Sequence, residues 1–304
     1  MDHSPVPIRF RRPPVTLVLV VVGLLVAACG TAGGTPTGEP TGTPAPSGTP
    51  SPSDGSFIDH PTGPTDLVFR FAEGGGFVPI DFFAAFGPQF SLYGDGTVIF
   101  RDQTAELPPA VGNVIPLTPY STARLSEPQV QAFLRFALDD GGLGVALAEY
   151  HPGNVADAPT ATFTVNARGL SKTVAVEALG LENPESPDAA ILHALAGLGE
   201  RVRNFGSSVE GEMRWMPERW RGILAGEGVG AAQPWPWTDL APADFVEATG
   251  PGAPRFPIHT LVQAQVDALG LTGLEGGFTG LTLAGPDGRI YAFVLRPLLP
   301  DEAL

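Results

Sequence analysis

Phe90-Ser91-Leu92-Tyr93-Gly94-Asp95-Gly96-Thr97-Val98-Ile99-Phe100-Arg101 is the stretch on which the fold of this chain turns. Apolar side chains recur at alternate positions on either side of Gly94-Asp95-Gly96, the spacing that lets a strand bury one face. Asp-Gly supplies the positive φ angles of a tight turn, so the two arms read as a β-hairpin. The same pattern recurs twice downstream. Thr160 to Asn166 and Lys172 to Ala178 flank Ala167-Arg168-Gly169, with Phe163, Val165, Val174 and Val176 at alternate positions. Gly280-Leu281-Thr282-Leu283 and Arg289 to Leu295 flank Pro286-Asp287-Gly288. Upstream, Leu67-Val68-Phe69-Arg70-Phe71 reads as one more strand, broken by Gly74-Gly75-Gly76. Neither Gly74-Gly75-Gly76 nor Gly94-Asp95-Gly96 precedes a Lys-Ser/Thr pair and a helix, so these are turn glycines rather than a phosphate cradle.

Three helices are expected between the hairpins. Ser126-Glu127-Pro128-Gln129 is a capping box ahead of Val130, Phe133, Leu134 and Ala137, and Gly141-Gly142 ends that helix. Ser186-Pro187-Asp188 opens a second, whose Ile191, Leu195, Leu198, Val202 and Phe205 lie on one face. Thr260-Leu261-Val262-Gln263 repeats the capping pattern ahead of Val266 and Leu269, stopped by Gly270. Hairpins with few helices predict the α+β class: mostly antiparallel sheet with about three helices packed on it. The βα alternation of a nucleotide-binding or two-lobed solute-binding fold is absent from this pattern.

The chain ahead of these elements has another character. Val15 to Ala28 is an unbroken apolar run preceded by Arg9, Arg11 and Arg12, and Ala27-Ala28 leads directly into Cys29. The run is shorter than the roughly 20 residues needed to span a bilayer and suits the apolar region of an export signal. Cys29 is the only cysteine, so no intramolecular disulfide can form. Ala27-Ala28-Cys29 at the end of this run resembles the lipobox of bacterial lipoproteins. The resemblance implies cleavage before Cys29 and a diacylglyceryl group on its thiol. It further implies export, with the chain lipid-anchored to the outer face of the cell membrane. The stretch after it, rich in Gly, Thr, Pro and Ser, holds too little apolar surface to offset its ordering entropy and reads as a tether. The expected organisation is a signal peptide (1–28), Cys29 with a disordered linker (29–65), an α+β subdomain (66–206), and a Trp-rich second subdomain (207–304) packed on the first.

Charge narrows the partners. The chain carries 17 basic and 32 acidic residues, a net charge of −15, with Lys172 as its single lysine. A surface that neutralises phosphates needs clustered cations, so no nucleic acid is expected as a partner. The balance also opposes attraction to anionic lipid, leaving the lipid on Cys29 as the expected membrane link.

Chemistry is sparsely signalled. His60, His151, His193 and His259 are far apart, Asp139-Asp140-Gly141-Gly142 lacks the pattern of a calcium loop, and no serine stands in a Gly-x-Ser-x-Gly or Ser-x-x-Lys arrangement. No metal, cofactor or catalytic residue is therefore assigned. The one constellation is the set of all four tryptophans, Trp215, Trp220, Trp235 and Trp237, gathered in one Pro- and Glu-rich window. They are candidate ligand-binding residues, a stacking platform with Glu210, Glu212, Glu218 and Asp239 orienting hydroxyls or cations. The opposing reading is packing. Alternate residues of an extended Trp235-Pro236-Trp237 face opposite ways, so both indoles share a side only if the segment bends. Two functions follow: a binding or structural module for an unknown extracellular ligand or protein, or an extracytoplasmic hydrolase with a site near residues 215–237.

Overall fold

The hairpin at residues 90–101 forms around a turn that its own residues close. The carbonyl of Tyr93 accepts the Gly96 N–H at 2.9 Å, Gly96 adopts a φ of 86°, and the Asp95 carboxylate accepts the Thr97 N–H at 2.9 Å. Phe90 then faces Phe100, Ser91 faces Ile99, and Leu92 faces Val98.

The computed structural model describes residues 57–101, 105–151, 155–181, 183–247 and 256–302. Cys29 and the rest of the expected signal and linker up to residue 56 lie outside them. The described residues belong to one compact unit. Its first half runs β1 (Leu67–Gly75), α1 (Ile80–Ala85), β2 (Phe90–Tyr93), β3 (Thr97–Arg101), β4 (Ile115–Pro116), β5 (Tyr120–Arg124), α2 (Glu127–Arg135), β6 (Glu149–Tyr150), β7 (Pro159–Ala167), β8 (Leu170–Glu177) and α3 (Ala189–Arg203). The second half runs β9 (Met213–Arg214), β10 (Arg219–Glu227), β11 (Gln233–Pro234), β12 (Val246–Glu247), β13 (Pro257–Val262), α4 (Gln263–Asp267), β14 (Phe278–Ala284) and β15 (Ile290–Pro297). The class is α+β, with antiparallel-rich sheets.

The strands form two sheets. The first has strand order β6-β8-β7-β1-β2-β3-β5-β9, and the second β11-β14-β15-β10-β13-β12 with β4 added on β14. The α2 and α3 helices cover the face of the first sheet that carries Phe69, Phe71, Phe90, Phe100, Phe163 and Val165, burying it with Phe133, Leu134, Leu195, Leu198 and Val202. The reverse face is buried too. Tyr93, Ile99 and Tyr120 pack there with Leu299, from the segment that follows β15. All of Phe90–Tyr93 is consequently buried, and no one-faced alternation could have shown it.

Polar groups on that reverse face are paired. Arg70 donates to Asp301 at 2.6 Å, and the Tyr93 hydroxyl donates to the same carboxylate at 2.8 Å. Arg296, on β15, makes two 2.9 Å hydrogen bonds to Glu302. The C-terminal segment thus joins the two sheets through ion pairs as well as apolar contact.

Several boundaries differ from expectation. Residues 57–65, read as linker, are part of the folded unit: Ile58 is buried in the first core, and its N–H donates to Gln131 at 2.8 Å. β1 continues through Gly74 and Gly75 because β7 pairs with it as far as Pro159. Gln129 caps α2 as expected, accepting the Ser126 N–H at 2.8 Å. The Thr260 cap does not form, since residues 260–262 pair with β10 as strand. Helix α4 starts two residues later, with Gln265 accepting the Val262 N–H at 3.1 Å. The Arg168-Gly169 turn places both residues at positive φ, 54° and 71°, and Arg168 holds Asp139 bidentately across it. Lys172 donates to the carbonyls of Leu143, at 3.0 Å, and Ala146, which follow the helix.

Candidate functional site

The tryptophans do not meet on one open face. Trp220 and Trp237 are 3% and 6% exposed, both inside the core of the second sheet. The Trp237 indole donates to the Gln265 carbonyl at 2.8 Å and that of Trp235 to Leu240 at 2.6 Å. The segment between them bends, bringing their rings to 5.0 Å centroid separation at 80°, the edge-to-face packing of a core. Trp215 is remote from this group and stands edge-on to Tyr120, at 5.8 Å, on the reverse face of the first sheet. Their placement favours the packing reading. Glu210, Glu212, Glu218 and Asp239 are exposed and line none of the clefts described below.

The concave surface nearest the Trp-rich window is built instead by the ends of β10 and β15. A bulge interrupts their pairing between Leu224 and Glu227, where Gly226 adopts a φ of 122°. Bulges re-aim the side chain that follows them, and here that residue is Glu227, opposite Tyr291. Glu227 shares a cleft of about 850 Å³ with Leu224, Glu247, Phe256, Asp287 and Tyr291. Its volume lies within the range of small-molecule sites, and its lining combines apolar walls with a few polar groups.

The cleft is locally ordered at one side. The Tyr291 hydroxyl donates to Asp287 at 2.5 Å, and Asp287 also accepts the Arg289 N–H at 3.1 Å. The Tyr291 bond is the main reason the Asp287 carboxyl is held below the ordinary carboxylate range, and Arg289 adds to it. Burial and Asp287 push the Tyr291 phenol up. Asp287 is therefore a charged acceptor at neutral pH, suited to holding a hydroxyl or a cation and unsuited to donating a proton. Trp235 packs against Tyr291 at 6.0 Å, so one predicted tryptophan backs the cleft wall without lining it.

Reasoning from sequence placed Asp287 only in a turn and Tyr291 only in a strand. The bulge that turns Glu227 toward them leaves no local signature beyond Gly226. Among the described residues no group of three or more His, Cys, Asp or Glu is arranged to hold a metal ion, and no helix is long and apolar enough to cross a membrane. His193 is exposed on α3, and His151 lies on the surface between Glu149 and Glu177, at 3.3 and 3.4 Å. No protein-family model, no curated protein and no solved structure matches this chain.

Proposed function

We propose that the chain is an exported lipoprotein, anchored through Cys29 to the outer face of the cell membrane, whose folded unit is a binding module. The observation that carries the binding reading is the convergence of Glu227, Glu247 and Asp287 with Tyr291 and Phe256 on one cleft. Carboxylates beside aromatic and aliphatic walls suit a small polyhydroxylated or cationic ligand, oriented by the acids and packed on the rings. The anchor is carried by Val15 to Cys29 and by the tether composition that follows.

Titration calorimetry of the purified chain against linear oligosaccharides and polyamines tests the binding reading. Asp287→Asn and Glu227→Gln are each expected to weaken binding about tenfold or more, the loss of a charge-assisted hydrogen bond. Absence of binding to both ligand classes would remove the cleft from consideration. The hydrolase reading uses the same carboxylates. Turnover of a glycoside, abolished by either substitution, would replace the binding reading with it. The anchor is tested separately by intact mass of protein from its native membrane. A chain beginning at Cys29 with a diacylglyceryl group is expected, and Cys29→Ala should be released unlipidated.

A further inference from the structure

A second groove, unconnected with the acidic cleft, runs beside α1. Its walls are Phe86, Leu107, Ile115 and Leu117, and Arg101 stands at its margin, in a space of about 330 Å³. Phe86, Leu107 and Ile115 are 38%, 57% and 43% exposed, so three large apolar side chains face solvent around one depression. Clustered exposure of this kind marks an interaction site more often than chance does.

The cation sets the chemistry. The Arg101 guanidinium lies 4.2 Å over the Tyr120 ring and donates to the carbonyls of Thr118 and Gly276. Two of its five N–H donors are thereby used, and among the described residues no carboxylate lies within ion-pair distance of it. Gly87 adds no side chain to the groove and packs closely on buried Tyr120: a β-carbon there would lie 2.6 Å from the Tyr120 hydroxyl and 3.9 Å from both Arg101 Nη2 and Arg296 Nη1. Phe86 and Gly87 also line a more open groove of about 410 Å³ with Phe83 and Glu73, whose carboxylate is held by Arg203. We infer that this groove binds an anionic amphiphile, with a carboxylate or phosphate head at Arg101 and a hydrocarbon tail along Phe86, Leu107 and Ile115. Charge complementarity at Arg101 itself selects this occupant, against the chain's net charge of −15. A cationic amphiphile is repelled at Arg101, and an uncharged one forgoes a charge-assisted hydrogen bond there.

Calorimetry on the full chain carrying Cys29→Ala, so that no acyl group of its own competes, provides the test. Dodecanoate and dodecyl phosphate, kept below micelle formation, are expected to bind at least tenfold more tightly than dodecyltrimethylammonium and dodecanol. Arg101→Gln should erase that preference. Because Arg101 also braces Thr118 and Gly276, Leu107→Asp and Ile115→Asp serve as second variants at exposed positions and should abolish binding with the fold intact by circular dichroism. Sedimentation with anionic but not zwitterionic vesicles, lost in Leu107→Asp, would support the same chemistry presented by a bilayer headgroup. Equal binding of all four amphiphiles, binding unchanged in Leu107→Asp and Ile115→Asp, or no binding to free amphiphile or vesicle would each overturn the inference. None of these outcomes bears on the acidic cleft.

Discussion

Glu302 shows how much can rest on one side chain. It accepts two 2.9 Å bonds from Arg296 and one of 3.0 Å from the Leu299 N–H. Burial pushes its carboxyl up, but the Arg296 charge and hydrogen bonds, with the Leu299 N–H and the Arg70 charge, outweigh it and bring it from 4.5 to about 2. A folded value below the unfolded one means stability that is complete above about pH 4.5 and lost as pH falls through about 2. The shift corresponds to about 3 kcal/mol. Urea midpoints measured from pH 5 downward should fall across that window, and Glu302→Gln should flatten the fall. At neutral pH the same substitution leaves Arg296 buried without a counter-charge, a loss of about 3–5 kcal/mol readable from the urea midpoint. Nothing local in Pro300-Asp301-Glu302 announces this role, because its main partner is Arg296, six residues back on β15, and the supporting charge is Arg70, distant in sequence. Asp95 stands nearer the other extreme: Thr97, two residues on, supplies the bonds that set its role in the turn, and Arg124 adds one from a distance.

Among elements, legibility follows the range of the interactions that form them. The β2–β3 and β7–β8 hairpins and the Gln129 cap depend on neighbours in sequence and were readable. Helix α4 was displaced because the pairing of Arg221 with Thr260 and of Trp220 with Leu261 outweighs a local capping preference. The six-residue α1 was not expected at all; its Ala85 packs with Ile223, Ala225 and Val294 of the second sheet, and tertiary burial sustains a helix too short to persist alone. Even a legible hairpin carries a hidden constraint. A β-carbon at Gly96 would lie 2.3 Å from the Leu125 carbonyl oxygen, at a positive φ that already disfavours a side chain. Gly96→Ala is therefore expected to cost about 3 kcal/mol in chemical denaturation. Gly169→Ala, where φ is 71° with open space around the position, should cost about 1 kcal/mol.

At the scale of the whole molecule, the two sheets are coupled by α1, by β4 on β14 and by the segment that follows β15. Trp220, Trp235 and Trp237 pack in the core of the second sheet; with Trp215, which stands on the first sheet, replaced by Phe, tryptophan fluorescence reports the second sheet, whereas far-ultraviolet circular dichroism reports both. Unfolding followed by the two probes should coincide. Truncation before Leu298 removes Leu299, Asp301 and Glu302 together, and the two transitions should then separate, with the tryptophan signal shifting independently of the dichroism. Coincident curves after truncation would mean that α1 and the β4–β14 pairing suffice to couple the sheets. What the sequence by itself determined was the α+β class, the hairpins, the helices that cover the first sheet, and the contrast between the N-terminal stretch and the unit that follows. Those features come from side-chain periodicity and from turn and cap chemistry acting over a few residues. Only the tertiary structure decided that there are two sheets, that both faces of the first are buried, that the tryptophans are packed, and that Glu227 and Asp287 line one cleft beside a bulge. Each of those depends on which distant strands pair and in what register, and that choice is made by the summed burial of the whole unit.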